Sequence, residues 1–306
     1  MKIKSWFFAG LLVVVSGSIV WADEFKDAVA AYKRQDYKTA LKIFTVQAQQ
    51  GDAIAQFNLG TMYLNKQGVP QDYAEAIKWF RMAAQQGKSS AQINLGTMYG
   101  KGEGVQQNYT EAMKWYRLAA QQGNAGAFLN LGEAYDNGKG VSQNYAEAMK
   151  WYRLAAEQRN ATAQFNLGMM YYKGHGIPQD FMEAMKWYRL AAQQGDSDAQ
   201  NNLGFMYYMG YAVPQDYAIA MKWYRLSARQ GSGSAQFSLG LFYGKGEGVP
   251  QDYVKSHLWF NLAAISGYAD AIENRDIAAR EMTPNQISLA QKMARDCLAN
   301  KFKDCN

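Results

Sequence analysis

The sequence predicts an all-α fold, an α/α solenoid built from 36-residue two-helix repeats. Three observations carry this. The pair Leu-Gly occurs at Leu59-Gly60, Leu95-Gly96, Leu131-Gly132, Leu167-Gly168, Leu203-Gly204 and Leu239-Gly240, each step being 36 residues. A tryptophan keeps the same step from Trp79 through Trp115, Trp151, Trp187 and Trp223 to Trp259. A tyrosine does so from Tyr63 to Tyr243. A solenoid grows by stacking units, so 306 residues at 48% hydrophobic content need not enclose one large core.

Residues 1–22 read as a signal peptide: Lys2 and Lys4 are basic, Phe7 to Val15 is apolar, and Val20-Trp21-Ala22 offers small residues to a signal peptidase. Cleavage after Ala22 leaves Asp23 first, which implies a periplasmic or secreted protein with no stable membrane insertion. Removing the two lysines from a formal charge of +6 leaves +4, too mild for a nucleic-acid footprint. Residues 23–52 read as N-terminal capping helices, one over Glu24 to Gln35 and one over Tyr37 to Ala48, the latter opened by Asp36.

The repeats occupy residues 53–267. Helix A of the first runs from about Ala53 to Leu64, with Ala53, Gln56, Leu59, Gly60 and Tyr63 at helical spacing. Gly60 costs a helix interior about 1 kcal/mol against alanine, so the expectation is a helix B so close that any Cβ would collide. The turn follows with Gly68 and Val69, the valine plugging the gap between helix ends. Asp72 is the expected N-cap of helix B, and Glu75, three residues on, is placed to reach back to the cap N–H. Helix B runs to about Gln85 and Gly87 releases the chain into the next unit. Arg159 stands where the other units have glycine, so that junction is expected to be less regular. Residues 268–306 read as C-terminal capping helices, the last starting at Thr283-Pro284 and ending near Leu298. Cys297 and Cys305 are the only cysteines, and an exported chain could join them in a small clasp.

The unit Ala-x-Ala-x-x-x-Leu-Gly-x-x-Tyr, then Gly-Val-x-x-Asp, then Ala-x-x-Trp-(Tyr/Phe)-x-x-Ala-Ala-x-x-Gly resembles the Sel1-like repeat, a relative of the tetratricopeptide repeat. The match covers about Ala53 to Gly267 in six copies. The resemblance implies a right-handed superhelix whose helices A line the concave face, and an adaptor or scaffold that binds a protein or peptide there.

On that face, the positions of Ile54, Phe57 and Thr61 vary from unit to unit while the scaffold does not. The position of Phe57 reads Ile93, Leu129, Phe165, Asn201 and Phe237; that of Thr61 reads Thr97, Glu133, Met169, Phe205 and Leu241. Phe165, Met169, Tyr172, Phe205, Tyr208 and Tyr211 form an aromatic cluster suited to an apolar peptide, or are partly buried between repeats. A second series, Asn58, Asn94, Asn130, Asn166 and Asn202, either grips the backbone of an extended peptide or bonds neighbouring repeats together. Helix B carries a Lys and Arg stripe, from Lys78 and Arg81 to Lys222 and Arg225, which reads as a solvated outer face.

Catalysis finds little support. His175 reads as a solvent-exposed variation in a turn, and His257 as a core-facing substitute for methionine. No metal, phosphate-loop or nucleophile motif is present, and no cofactor is implied. A cell-wall or glycan-binding module is the alternative to a peptide scaffold. A hydrolase is weaker still, because similar secreted proteins described as β-lactamase-like carry disulfides inside their repeats. The sequence specifies no oligomeric state.

Overall fold

The computed structural model describes residues 24–302 and 305; the signal segment 1–22 and Asp23 lie outside the described residues. The chain forms two compact units, residues 1–143 and 144–306. The described part of the first contains α1 (24–33), α2 (Tyr37–Gln49), α3 (Ala53–Leu64), α4 (Tyr73–Gln85), α5 (Ser89–Lys101), α6 (Tyr109–Ala120) and α7 (Ala125–Asn137). The second contains α8 (Tyr145–Glu157), α9 (Ala161–Lys173), α10 (Phe181–Gln193), α11 (Ser197–Met209), α12 (Tyr217–Ala228), α13 (Gly233–Lys245), α14 (Tyr253–Ile265), α15 (Ala271–Arg280) and α16 (Pro284–Ala299). Among the described residues no helix is long and apolar enough to cross a membrane.

Within each repeat the Leu-Gly pair sets the spacing of the two helices. Leu59, Leu95, Leu167, Leu203 and Leu239 are at most 1% exposed. A Cβ placed on Gly60 would lie 2.8 Å from the ring of Phe80, and one on Gly204 would lie 2.8 Å from the ring of Tyr224. The same crowding meets Gly96 at Tyr116, Gly168 at Tyr188 and Gly240 at Phe260. The glycine therefore lets an aromatic ring of helix B lie flat on helix A, and the packing offsets the helix-propensity cost.

The N-caps accept hydrogen bonds as expected of Asp and Asn: Asp72 from the N–H of Glu75, Asn108 from Glu111, Asp180 from Glu183. The glutamates, however, do not reach back. The cap N–H groups are already taken by helix A carbonyls, as in Asp72 N–H to Tyr63 and Asn108 N–H to Tyr99. The carboxylates turn outward instead and pair with Lys78, Lys114, Lys150 and Lys186. Only Thr283 and Gln286, at the start of α16, form a reciprocal box among the described residues. A glutamine before each cap closes the turn by donating to a helix A carbonyl, for example Gln71 to Leu64 and Gln179 to Tyr172.

Arg159 does not disturb its junction. It adopts φ +62°, the left-handed conformation of Gly87 and Gly195, and Asn160 N–H bonds Ala155 as the glycine junctions do. A Cβ at Gly87 or Gly195 would meet nothing within 4 Å, so a side chain fits there and only the backbone conformation is costly.

Two recurring side-chain bonds tie repeats together. Gln56, Gln92, Gln164, Gln200 and Gln236 are buried and donate to the carbonyls of Ala48, Ala84, Ala156, Ala192 and Ala228. Their own carbonyl oxygens accept from a residue 30 positions on, as in Gln230 to Gln200 at 2.9 Å. The arginines of helix B donate to the tyrosine hydroxyl of the next helix A, from Arg81 to Tyr99 through to Arg225 to Tyr243. The basic stripe is thus largely engaged within the protein: its lysines pair with glutamates and its arginines with tyrosines. At the C-terminus Cys297 and Cys305 are joined by a disulfide and buried, and Phe302 packs with them against the core of α12, α13 and α14.

Candidate peptide groove

In the second unit α9, α11 and α13 are three successive helices A, and they present the same register positions side by side. The wall they form encloses a groove of about 550 Å³. The row at the Thr61 position contributes Met169, Phe205 and Leu241; the row three residues further on contributes Tyr172 and Tyr208. Phe165, Asn201 and Phe237 supply a third row. All of these side chains are half-buried, and several are supported by neighbouring rings. Phe165 lies 5.8 Å from Tyr188, Tyr208 lies 5.5 Å from Phe242, and Phe237 stacks on Tyr268 at 4.6 Å.

The floor is polar at a few points. Tyr188 and Tyr224 rise from helices B over Gly168 and Gly204, so their hydroxyls reach the groove from below. The Tyr188 hydroxyl approaches Met169 Sδ at 3.0 Å, and Asn202 Nδ2 approaches the same sulfur at 3.4 Å. Burial pushes the Tyr188 and Tyr224 hydroxyls well above the usual tyrosine range, so both stay protonated donors at any physiological pH. Beside the groove, Tyr211 stacks on Phe181 at 4.5 Å and packs against Phe205 and Tyr172.

Phe165, Met169, Tyr172, Asn202, Phe205 and Tyr208 therefore all line this one groove. Phe57, Asn94, Asn130 and Asn166, also singled out in the sequence, do not. Phe57, in the first unit, packs 5.8 Å from Phe80 beneath Lys88. Asn58, Asn94, Asn130 and Asn166 are half-buried, and their side chains make no hydrogen bond among the described residues. Bonds between repeats are made instead by the glutamines two residues before them, and within the series only Asn202 reaches the preceding repeat, at Met169 Sδ. Asn130 lines a separate, smaller cavity of about 230 Å³ in the first unit, together with Thr97, Tyr116 and Glu133. Burial raises the Glu133 carboxyl, and Lys139 partly offsets that.

The groove also has walls that the aromatic cluster did not announce. Phe237, Leu241 and Tyr268 extend it into the sixth repeat. The signal was present: the rows Phe165-Asn201-Phe237 and Met169-Phe205-Leu241 continue one unit beyond the cluster. Neither histidine belongs to it. His175 is not a free turn residue: it is half-buried and stacks on Tyr145 at 4.7 Å. His257 is 3% exposed, and burial together with Arg275 lowers its pKa, with Asp276 opposing. Among the described residues no group of three or more His, Cys, Asp or Glu could hold a metal ion.

Comparison with known proteins agrees with this architecture. Residues 53–88, 89–124, 128–160, 161–196, 197–232 and 233–268 match the Sel1 repeat. The fold is similar to the crystal structure of a protective antigen present in uropathogenic Escherichia coli strains that displays an SLR fold, at 33% identity and TM-score 0.78 over 94% of this chain. The chain spans 63% of the length of that structure. It is also similar to a Sel1 repeat protein from Oxalobacter formigenes, at 34% identity and TM-score 0.75, covering 79% of this chain and 99% of the other. No curated protein sequence matches the chain. Six matched units, their Leu-Gly packing and the two solved relatives together place this chain in the Sel1 repeat family.

Proposed function

We propose that this chain is an exported scaffold or adaptor that holds an extended segment of a partner protein in the groove formed by α9, α11 and α13. A Sel1 repeat solenoid is a protein-interaction scaffold by fold. The observation that supports this particular site is the concentration of half-buried aromatic and aliphatic side chains along one row of helices A, enclosing about 550 Å³. That size suits a few side chains of a bound segment, and buried aromatic anchors contribute most to such interfaces. Export to the periplasm or beyond rests on the basic-then-apolar start of the chain and the small residues before Asp23.

The test is site-specific photocrosslinking in the native compartment, with the photoreactive group at Tyr208 and, as control, at Leu154 on helix B. The expected result is an adduct from Tyr208 that maps by mass spectrometry to one segment of one protein and disappears with Phe165→Ala and Phe205→Ala. Recovery of glycan alone from the groove position would overturn this reading in favour of a cell-wall module. Recovery of the chain from the cytoplasm with Met1 intact would overturn export.

A further inference from the structure

The charges around the groove are one-sided. Asp198 and Glu247 line it, and no lysine or arginine does. Glu247 forms an ion pair with Lys245 through Oε1 at 3.8 Å, while its Oε2 is buried with no hydrogen-bond partner among the described residues. Asn201 Oδ1 is likewise buried without a partner. Buried acceptors are normally satisfied, and one without a partner is costly.

Asn201 is also an outlier in its row. The equivalent positions are Phe57, Ile93, Leu129, Phe165 and Phe237, all apolar, so an amide in this place gains nothing from packing. It places a polar atom in the middle of an aromatic wall. Two acceptors without a hydrogen-bond partner, a lining that carries only acidic charge and aromatic faces all favour the same kind of group: a cation with several N–H donors.

We infer that the groove selects a segment carrying an arginine or lysine between apolar or aromatic side chains, with the cationic head donating to Glu247 Oε2. This rests on the peptide-binding reading above. The neighbouring residues of the segment occupy the apolar places lined by Phe165, Phe205 and Phe237, while Asp198, exposed at the edge, adds attraction at longer range.

The experiment is fluorescence anisotropy on the purified chain with three labelled, end-blocked probes: Gly-Phe-Arg-Phe-Gly, the same peptide with neutral citrulline for arginine, and the same with glutamate. The expected order is arginine, then citrulline about tenfold weaker, then glutamate weakest. Glu247→Gln is expected to erase most of the arginine preference by weakening the arginine probe far more than the citrulline probe, and Asn201→Phe to weaken both probes. Asn201→Phe restores the residue type of its own row, so the fold should persist, and thermal unfolding checks this for both variants. Equal binding of arginine and citrulline probes, unchanged by Glu247→Gln, would overturn the inference and leave the groove reading standing. Binding of none of the three would overturn the groove reading itself. Phe205→Ala separates the two: it should weaken arginine and citrulline probes alike.

Discussion

The helix A rows of the two units differ in one respect that matters. Both use the same packing devices: the buried leucine, the glycine beneath an aromatic ring, the glutamine that bonds the preceding helix. Yet in the first unit the position of Thr61 reads Thr97 and Glu133, and the cavity there is small and polar. In the second it reads Met169, Phe205 and Leu241, and the cavity is more than twice as large and lined with rings. The backbone is the same device in both, so the chemistry of the face is decided by side chains that the packing leaves free. A repeat protein can vary those without disturbing its fold.

If the scaffold is equivalent in both units, equal changes should cost equally. Gly96→Val and Gly204→Val each force a side chain into the ring of Tyr116 or Tyr224. Both are expected to destabilise by about 2–3 kcal/mol in chemical denaturation, more than valine regains in helix propensity. A loss in one unit and not the other would break the equivalence. Next in size is the glutamine series. Gln200→Leu removes one donor to the Ala192 carbonyl, which keeps the Gly195 N–H, and one acceptor of Gln230, which keeps the Gly195 carbonyl, an expected loss of about 1 kcal/mol. Phe128 occupies this position in the third repeat, 8% exposed, so Gln200→Phe is the sharper comparison. If that variant is as stable as the native chain, the bonds between repeats add nothing that apolar packing cannot replace.

Among the residues that adopt conformations glycine adopts in their sister repeats are Arg159 and Ala212. Arg159 stands at φ +62° and Ala212 at φ +65°. Arg159→Gly and Ala212→Gly are each expected to stabilise by up to about 1 kcal/mol, read as a rise in melting temperature. The smallest effect concerns pH. Burial depresses the pKa of His257, so the folded chain resists a proton that the unfolded chain accepts. Above the ordinary value of 6.5 both states are neutral and the residue contributes nothing; stability falls as pH drops through 6.5 towards the lower folded value. His257→Met carries the residue of Met221 and Met185. It is expected to remove about 1–2 °C of melting-temperature loss between pH 7.5 and 5.5, with no change at pH 7.5.

Much of the fold was legible because its period is imposed by contacts. A ring lying on Gly60 or Gly204 admits no other residue, so the pair repeats and announces the helix pair. The helix ends were legible for the same reason: Asp72 and Asn108 cap because a helix start needs an acceptor. What was not legible depends on partners brought together only by stacking. Gln56 reads as one more residue at helical spacing, and nothing in its position shows that it bonds Ala48 and accepts from Gln86. Arg81 looks like surface charge until Tyr99 appears beside it. The glutamates after the caps were misread because the Asp72 N–H was assumed free, when Tyr63 already accepts it. In the groove, the cluster from Phe165 to Tyr208 was visible as aromatic density at matching positions. The contribution of Tyr268 was not, since it comes from the loop after α14, outside the helix A rows.

The most direct test of the central claim transplants the first unit's polar row into the second. Phe205→Thr with Leu241→Thr gives the groove the residue type of Thr61 and Thr97 while leaving the Leu-Gly scaffold untouched. Anisotropy with the Gly-Phe-Arg-Phe-Gly probe is then compared with the native chain, and circular dichroism confirms unchanged helix content. The account expects binding to weaken by about tenfold or more with the fold intact. Unchanged affinity in a folded double variant would show that the free helix A positions do not set what this face binds.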